Sequence, residues 1–180
     1  AFRSEVFREM NGFDESFPVA NNEDTDLSYR LAAAGHRMVF NARAVVFHLR
    51  HPDSLRRYLR QKFWRGYWRM VVYRRFPDKM IRDTYTPQTM KIQVLTLFGA
   101  AGSLAVGLAF SPALGFAALL LGVFVVSTVP FALAAAKRDL AVGVLSPFLL
   151  ALRAATIGCG VAYFGLTGRR RLRGMTAAGN

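Results

Sequence analysis

Hydrophobic positions recur at helical spacing in two places early in this chain, then run almost unbroken near its end. Leu27, Leu31 and Ala34 mark one face of a short helix. Asn22 stands where an N-cap belongs and Gly35 where a helix is left, so the pattern predicts a helix between them. Arg37 to Phe40 and Ala44 to Phe47 read as two short strands joined by a turn at Asn41–Arg43. From Ser54 to Phe76 the pattern is helical again. Leu55, Leu59, Phe63, Tyr67 and Val71 step by four along one stripe, with Trp64 and Trp68 on a second line.

The last third changes character. Ile92 to Phe110 is 19 residues without a charge, and Ala113 to Ala136 is 24 more. A helix rises about 1.5 Å per residue and a bilayer core is about 30 Å thick, so both stretches are long enough to span. Ser111-Pro112 breaks them apart. A third apolar stretch, Leu140 to Leu166, contains Pro147 and, near its middle, Arg153. A charge at mid-bilayer costs about 2.5 kcal/mol or more. That cost favours a re-entrant or interfacial segment here, with a third span as the alternative.

Charge sharpens this division. Residues 1–48 carry five basic and seven acidic side chains, residues 49–82 carry eleven and two, and residues 168–180 carry four arginines. The picture is an acidic head, a basic aromatic collar, a membrane region and a basic tail. In residue ranges these are 1–50, 51–82, 92–136 with 140–166, and 167–180. Basic collar, Lys137-Arg138 and tail all favour the cytoplasmic face. Tyr and Trp interleaved with Arg suit a headgroup boundary, which predicts an interfacial helix over 54–76. The same mixture suits nucleic acid, but the adjacent spans decide for the membrane, and no nucleic-acid partner is expected. A single cysteine, Cys159, excludes a disulfide scaffold or a Cys-based zinc site. A head of this size is too short to bury a core alone, so the chain reads as part of a longer protein.

Chemistry is concentrated in the head. Glu23, Asp24 and Asp26 crowd one helix start. Taken locally, complementing the helix dipole explains them best, at about 0.3–1 kcal/mol each. Like charges so close also raise carboxyl pKa values, which is one way to make a base. His48 follows a strand end, where a structural, metal or phosphate role is open.

In order, Phe2-Arg3-Ser4-Glu5, Gly12-Phe13-Asp14-Glu15-Ser16-Phe17, Asn22 to Leu31, Gly35 and Val46-Phe47-His48 resemble the C-terminal half of a family 2 glycosyltransferase. The likeness covers residues 1–48. It implies an incomplete α/β head, the C-terminal part of the nucleotide-sugar-binding GT-A fold, followed by an interfacial helix and a helical membrane region. It implies Asp24 as catalytic base, Glu23 as its support and Asp26 in reserve. Gly12, Phe13 and Asp14 fall in the loop beside the acceptor, and His48 falls where a histidine assists a metal–diphosphate. The divalent metal, Mg or Mn, would be held mainly by residues outside this chain, because the family's Asp-x-Asp metal motif and nucleotide-binding strands lie N-terminal to the Glu-Asp motif, where this chain has neither. Gln61, Arg65 and Trp68 stand near a Gln-x-x-Arg-Trp motif but at other spacing, which speaks for single-sugar transfer over polymerisation. Plain interfacial anchoring is the simpler reading of that stretch. The expected partners are a nucleotide-sugar donor, a lipid-linked or cell-envelope glycan acceptor and the bacterial plasma membrane, with the head in the cytoplasm. As given, the chain is expected to be inactive alone. The alternative is a non-catalytic, membrane-anchored lipid-binding module.

Overall fold

The structure, a computed structural model, describes residues 2–177 apart from 19, 40, 46, 48–51, 84 and 85, with side chains as far as Gly168. Seven helices follow in order: α1 (Ser4–Glu9), α2 (Glu23–Ala33), α3 (Leu55–Arg75), α4 (Pro77–Ile81), α5 (Gln88–Gly107), α6 (Pro112–Ala136) and α7 (Leu140–Ala177).

The α/β expectation is overturned: among the described residues every regular element is helical and there is no strand. The turn forms, with Ala44 N–H donating to the Asn41 carbonyl at 3.1 Å. Its flanks do not pair. Val45 is 70% and Phe47 84% exposed, with no sheet to receive their apolar faces. A lone two-stranded hairpin is marginal in water without a third strand or a helix against it. The short apolar runs stand in the sequence, but the described residues supply no sheet for them to pack in.

The helix starts and stops are closer to the sequence pattern. Gly35 takes φ +82° and closes α2, with His36 N–H donating to the Leu31 carbonyl at 3.0 Å. Asn22 precedes α2 in the left-handed region, and its side chain makes no cap bond. Ser54 does cap α3, accepting from Arg57 N–H at 3.4 Å.

Helix α3 organises the molecule. Its C-terminal half is buried between the head and α7, and Tyr67, Trp68, Val71 and Val72 join Phe17, Tyr29 and Phe164 in one apolar cluster. Rings interlock there: Phe17 lies 5.5 Å from Trp68, and Tyr67 lies 5.3 Å from Phe164. Tyr67 and Trp68 therefore face protein rather than headgroups. Two glycines permit the α3–α7 crossing. A Cβ on Gly66 would stand 2.3 Å from the Ile157 carbonyl oxygen, and one on Gly160 2.1 Å from that of Phe63. Backbone meets backbone at both points, so no larger residue fits without the helices moving apart.

Three helices are long and apolar enough to cross a membrane: Gln88–Gly107, Pro112–Ala136 and Leu140–Gly168. Helix α7 runs unbroken through Pro147 and Arg153. Arg153 donates from Nη2 to Gln93 Oε1 of α5 at 2.9 Å, so its head lies against a polar partner on a neighbouring helix.

Candidate acceptor groove

The head is clasped to α3 by ion pairs. Asp26 is fully buried. One oxygen accepts from Arg30 Nε at 2.9 Å, the other from Arg75 Nη1 at 2.9 Å. Arg75 also pairs with Asp14, and Arg30 reaches the carbonyls of Met10 and Gly12. Partial burial acts to raise the Asp14 carboxyl, but hydrogen bonds from Ser16 and Arg75 outweigh it and hold the group below its ordinary value. A second knot lies at the same C-terminal end of α3. Tyr29 and Tyr73 donate to the two oxygens of buried Asp83 at 2.6 and 2.8 Å. Burial and this anion push the Tyr73 hydroxyl up to about 12.

Beside the clasp, the segment before α2 faces α3 across an open groove of about 430 Å³. Pro18, Ala20 and Asn21 form one wall. Arg57, Arg60, Gln61, Trp64 and Trp68 form the other, all on one face of the helix. Asn22 ties the two walls, its Nδ2 donating to the Arg65 carbonyl at 3.3 Å. Both tryptophans of the chain line this groove. Indole faces with amide and guanidinium donors suit a ligand having flat apolar patches and many hydroxyls or phosphates.

The expected site residues divide among several places. Gln61 and Trp68 meet in the groove, whereas Arg65 lines a different cavity on the other side of α3. Gly12, Phe13 and Asp14 do not reach the groove. Phe13 packs edge-on against Phe7 at 5.4 Å and Asp14 belongs to the clasp. Among the three acids, Asp26 is consumed by two guanidinia. Asp24 is exposed in the first turn of α2, and its Oδ1 accepts from Thr25 N–H at 2.7 Å. It does not itself line the groove, which begins at Asn21, three residues before it. Glu23 is half-buried, with one carboxylate oxygen that meets no donor. His48 lies outside the described residues. Among those described, no three His, Cys, Asp or Glu side chains come together to hold a metal. Asn21, Arg57, Arg60 and Trp64 are additions. Spacing alone could have found three of the lining residues, since Arg57, Gln61 and Trp64 repeat with Trp68 at intervals of four, three and four.

The family model for glycosyl transferase family group 2 matches residues 1–163. The chain belongs to this family. The chain is also 36% identical over 77 residues to pre-mycofactocin glycosyltransferases of two strains of Mycobacterium tuberculosis. The match covers 43% of this chain and 16% of each relative, so the chain spans only a small part of them. No solved structure matches it.

Proposed function

We propose that this chain forms the acceptor side of an inverting glycosyltransferase that moves one sugar from a nucleotide-sugar donor to a lipid-linked or cell-envelope glycan. The observation that carries the reading is the groove. Within a glycosyltransferase family, a cleft walled by Trp64, Trp68 and Gln61 opens beside the acidic start of α2. Asp24 is the base in this reading. It is the exposed acid of the three, free to take a proton from the acceptor hydroxyl as that oxygen attacks the anomeric carbon and the nucleotide diphosphate leaves. In the same reading Glu23 supports it. The divalent metal of such a reaction finds no set of ligands among the described residues, so no step here is drawn through it. In this reading the head lies on the cytoplasmic face of a bacterial plasma membrane, which the basic collar and tail favour.

The test uses the full-length protein with radiolabelled sugar nucleotides and an acceptor panel that includes pre-mycofactocin. Asp24→Asn lowers kcat by roughly 10²–10⁴-fold while membrane insertion is unchanged. Near-normal turnover by that variant refutes the assignment.

A further inference from the structure

On the side of α3 turned away from the acceptor groove, a second cavity of about 290 Å³ opens between α3, α5 and α7. Its walls are apolar, with Met70, Val94, Leu95 and Ile157 among them, and its rim carries Arg65, Arg69 and Lys91. Two further cations stand beside it. Lys62 lies four residues before the lining residue Gly66 on α3, and Arg153 four before the lining residue Ile157 on α7, where it bonds to Gln93, next to Val94 on α5. Lys62, Arg65 and Arg153 are close enough for the two arginine charges to act on the lysine, which makes this end of the groove cationic. None of the three, nor Lys91, forms an ion pair with any described carboxylate. Arg153 spends Nη2 on Gln93, while its buried Nε meets no acceptor. Burial, then the charges of Arg65 and Arg153, push the Lys62 amine down to about 8. Like charges gathered at half-buried positions raise the free energy of the fold unless an anion sits among them.

We propose that this cationic end and the groove leading from it hold one anionic phospholipid, its phosphate among Lys62, Arg65 and Arg153 and an acyl chain along Val94, Leu95 and Ile157. Guanidinium forks fit phosphate, and basic pockets between membrane helices suit lipid headgroups. Neighbouring apolar surface favours this occupant over a free anion. Leu95, which lines the cavity, is also largely exposed on the outer face of α5. The inference rests on the membrane reading of α5–α7 and is independent of sugar transfer.

The experiment reconstitutes the full-length protein in nanodiscs of phosphatidylcholine with or without phosphatidylglycerol. Bound lipid is then counted by native mass spectrometry. One phosphatidylglycerol per chain is expected on the wild type and on Arg56→Gln, which removes a charge from α3 away from the groove. Lys62→Gln with Arg65→Gln should lower that occupancy tenfold or more. Should the double variant fold poorly, the wild type alone decides: its melting temperature rises by several degrees with phosphatidylglycerol and not with inorganic phosphate. Equal occupancy in Arg56→Gln and the double variant overturns the proposal. So does a melting temperature indifferent to phosphatidylglycerol, or displacement of the lipid by inorganic phosphate. A loss of sugar transfer with normal lipid occupancy would count against the acceptor groove instead.

Discussion

The junction of head and α3 is built the opposite way round from the α5–α7 bundle. At the junction, aromatic and aliphatic side chains are inside and most charges outside, with Asp26 and Asp83 buried only because cations or hydroxyls meet them. In the bundle, Gln93, Thr96, Thr128 and Ser146 are buried, while Leu119 is 61% and Leu166 84% exposed. The buried hydroxyls bond carbonyls one turn back on their own helices, as Ser146 does to Val142 at 2.7 Å. Water explains the first region and a lipid environment the second, since each hides what its surroundings reject. Between them stands α3, polar on the groove face and packed on α7 through glycine.

Three changes would break or sharpen that contrast. The largest effect is expected from Asp26→Ala, which leaves Arg30 facing a buried site without its anion and Arg75 with Asp14 alone. The cost should be about 3 kcal/mol or more, seen as a lower denaturation midpoint of the full-length protein in micelles. A neutral Asp26→Ala would show the clasp to be decorative.

Gly160→Val comes next. Its Cβ would press on a backbone oxygen that cannot rotate away, so about 1–3 kcal/mol should be lost as α3 is levered off α7. Protease should then cut between head and bundle, whereas Asp26→Ala should expose the head alone. An uncut Gly160→Val would mean that the two regions are held together elsewhere.

The smallest effect is a pH dependence. Lys62 is lowered from 10.5 to about 8 in the fold, so the unfolded chain binds more protons between those values. Stability should therefore rise with pH from about 8 upward, the strain of a charged Lys62 being fully present below 8. Above 10 the Tyr73 hydroxyl, raised to about 12, works the other way and stability falls. Lys62→Gln should remove the rise and leave the fall. A rise that persists in Lys62→Gln belongs to another group.

The helices were legible because each carries its own signal: Ser54 and Gly35 mark ends, and the apolar runs mark α5 and α6. The strands were misread because a short apolar run shows only what a strand would bury, not whether a sheet exists to bury it. In the membrane region the Arg153 charge counted against a third span. Helix α7 is continuous there, and Arg153 bonds to Gln93, sixty positions away, a partner that no local pattern reveals. For the site, Glu23, Asp24 and Asp26 are alike in sequence. Only Arg75, 49 residues beyond Asp26, shows which acid is structural. Gln61 and Trp68 line one groove, but helical spacing separates Arg65 from them, and the fold sends it to the opposite side of α3.

In the proposed function the acceptor sits in the groove between Asn21 and Gln61. Gln61 is exposed and makes no structural hydrogen bond, so Gln61→Ala should fold normally. The decisive measurement is its acceptor KM and kcat in the full-length enzyme. A KM raised roughly five- to tenfold, as expected for one lost hydrogen bond, with kcat little changed, is the predicted result. An acceptor KM identical to that of the wild type would contradict it.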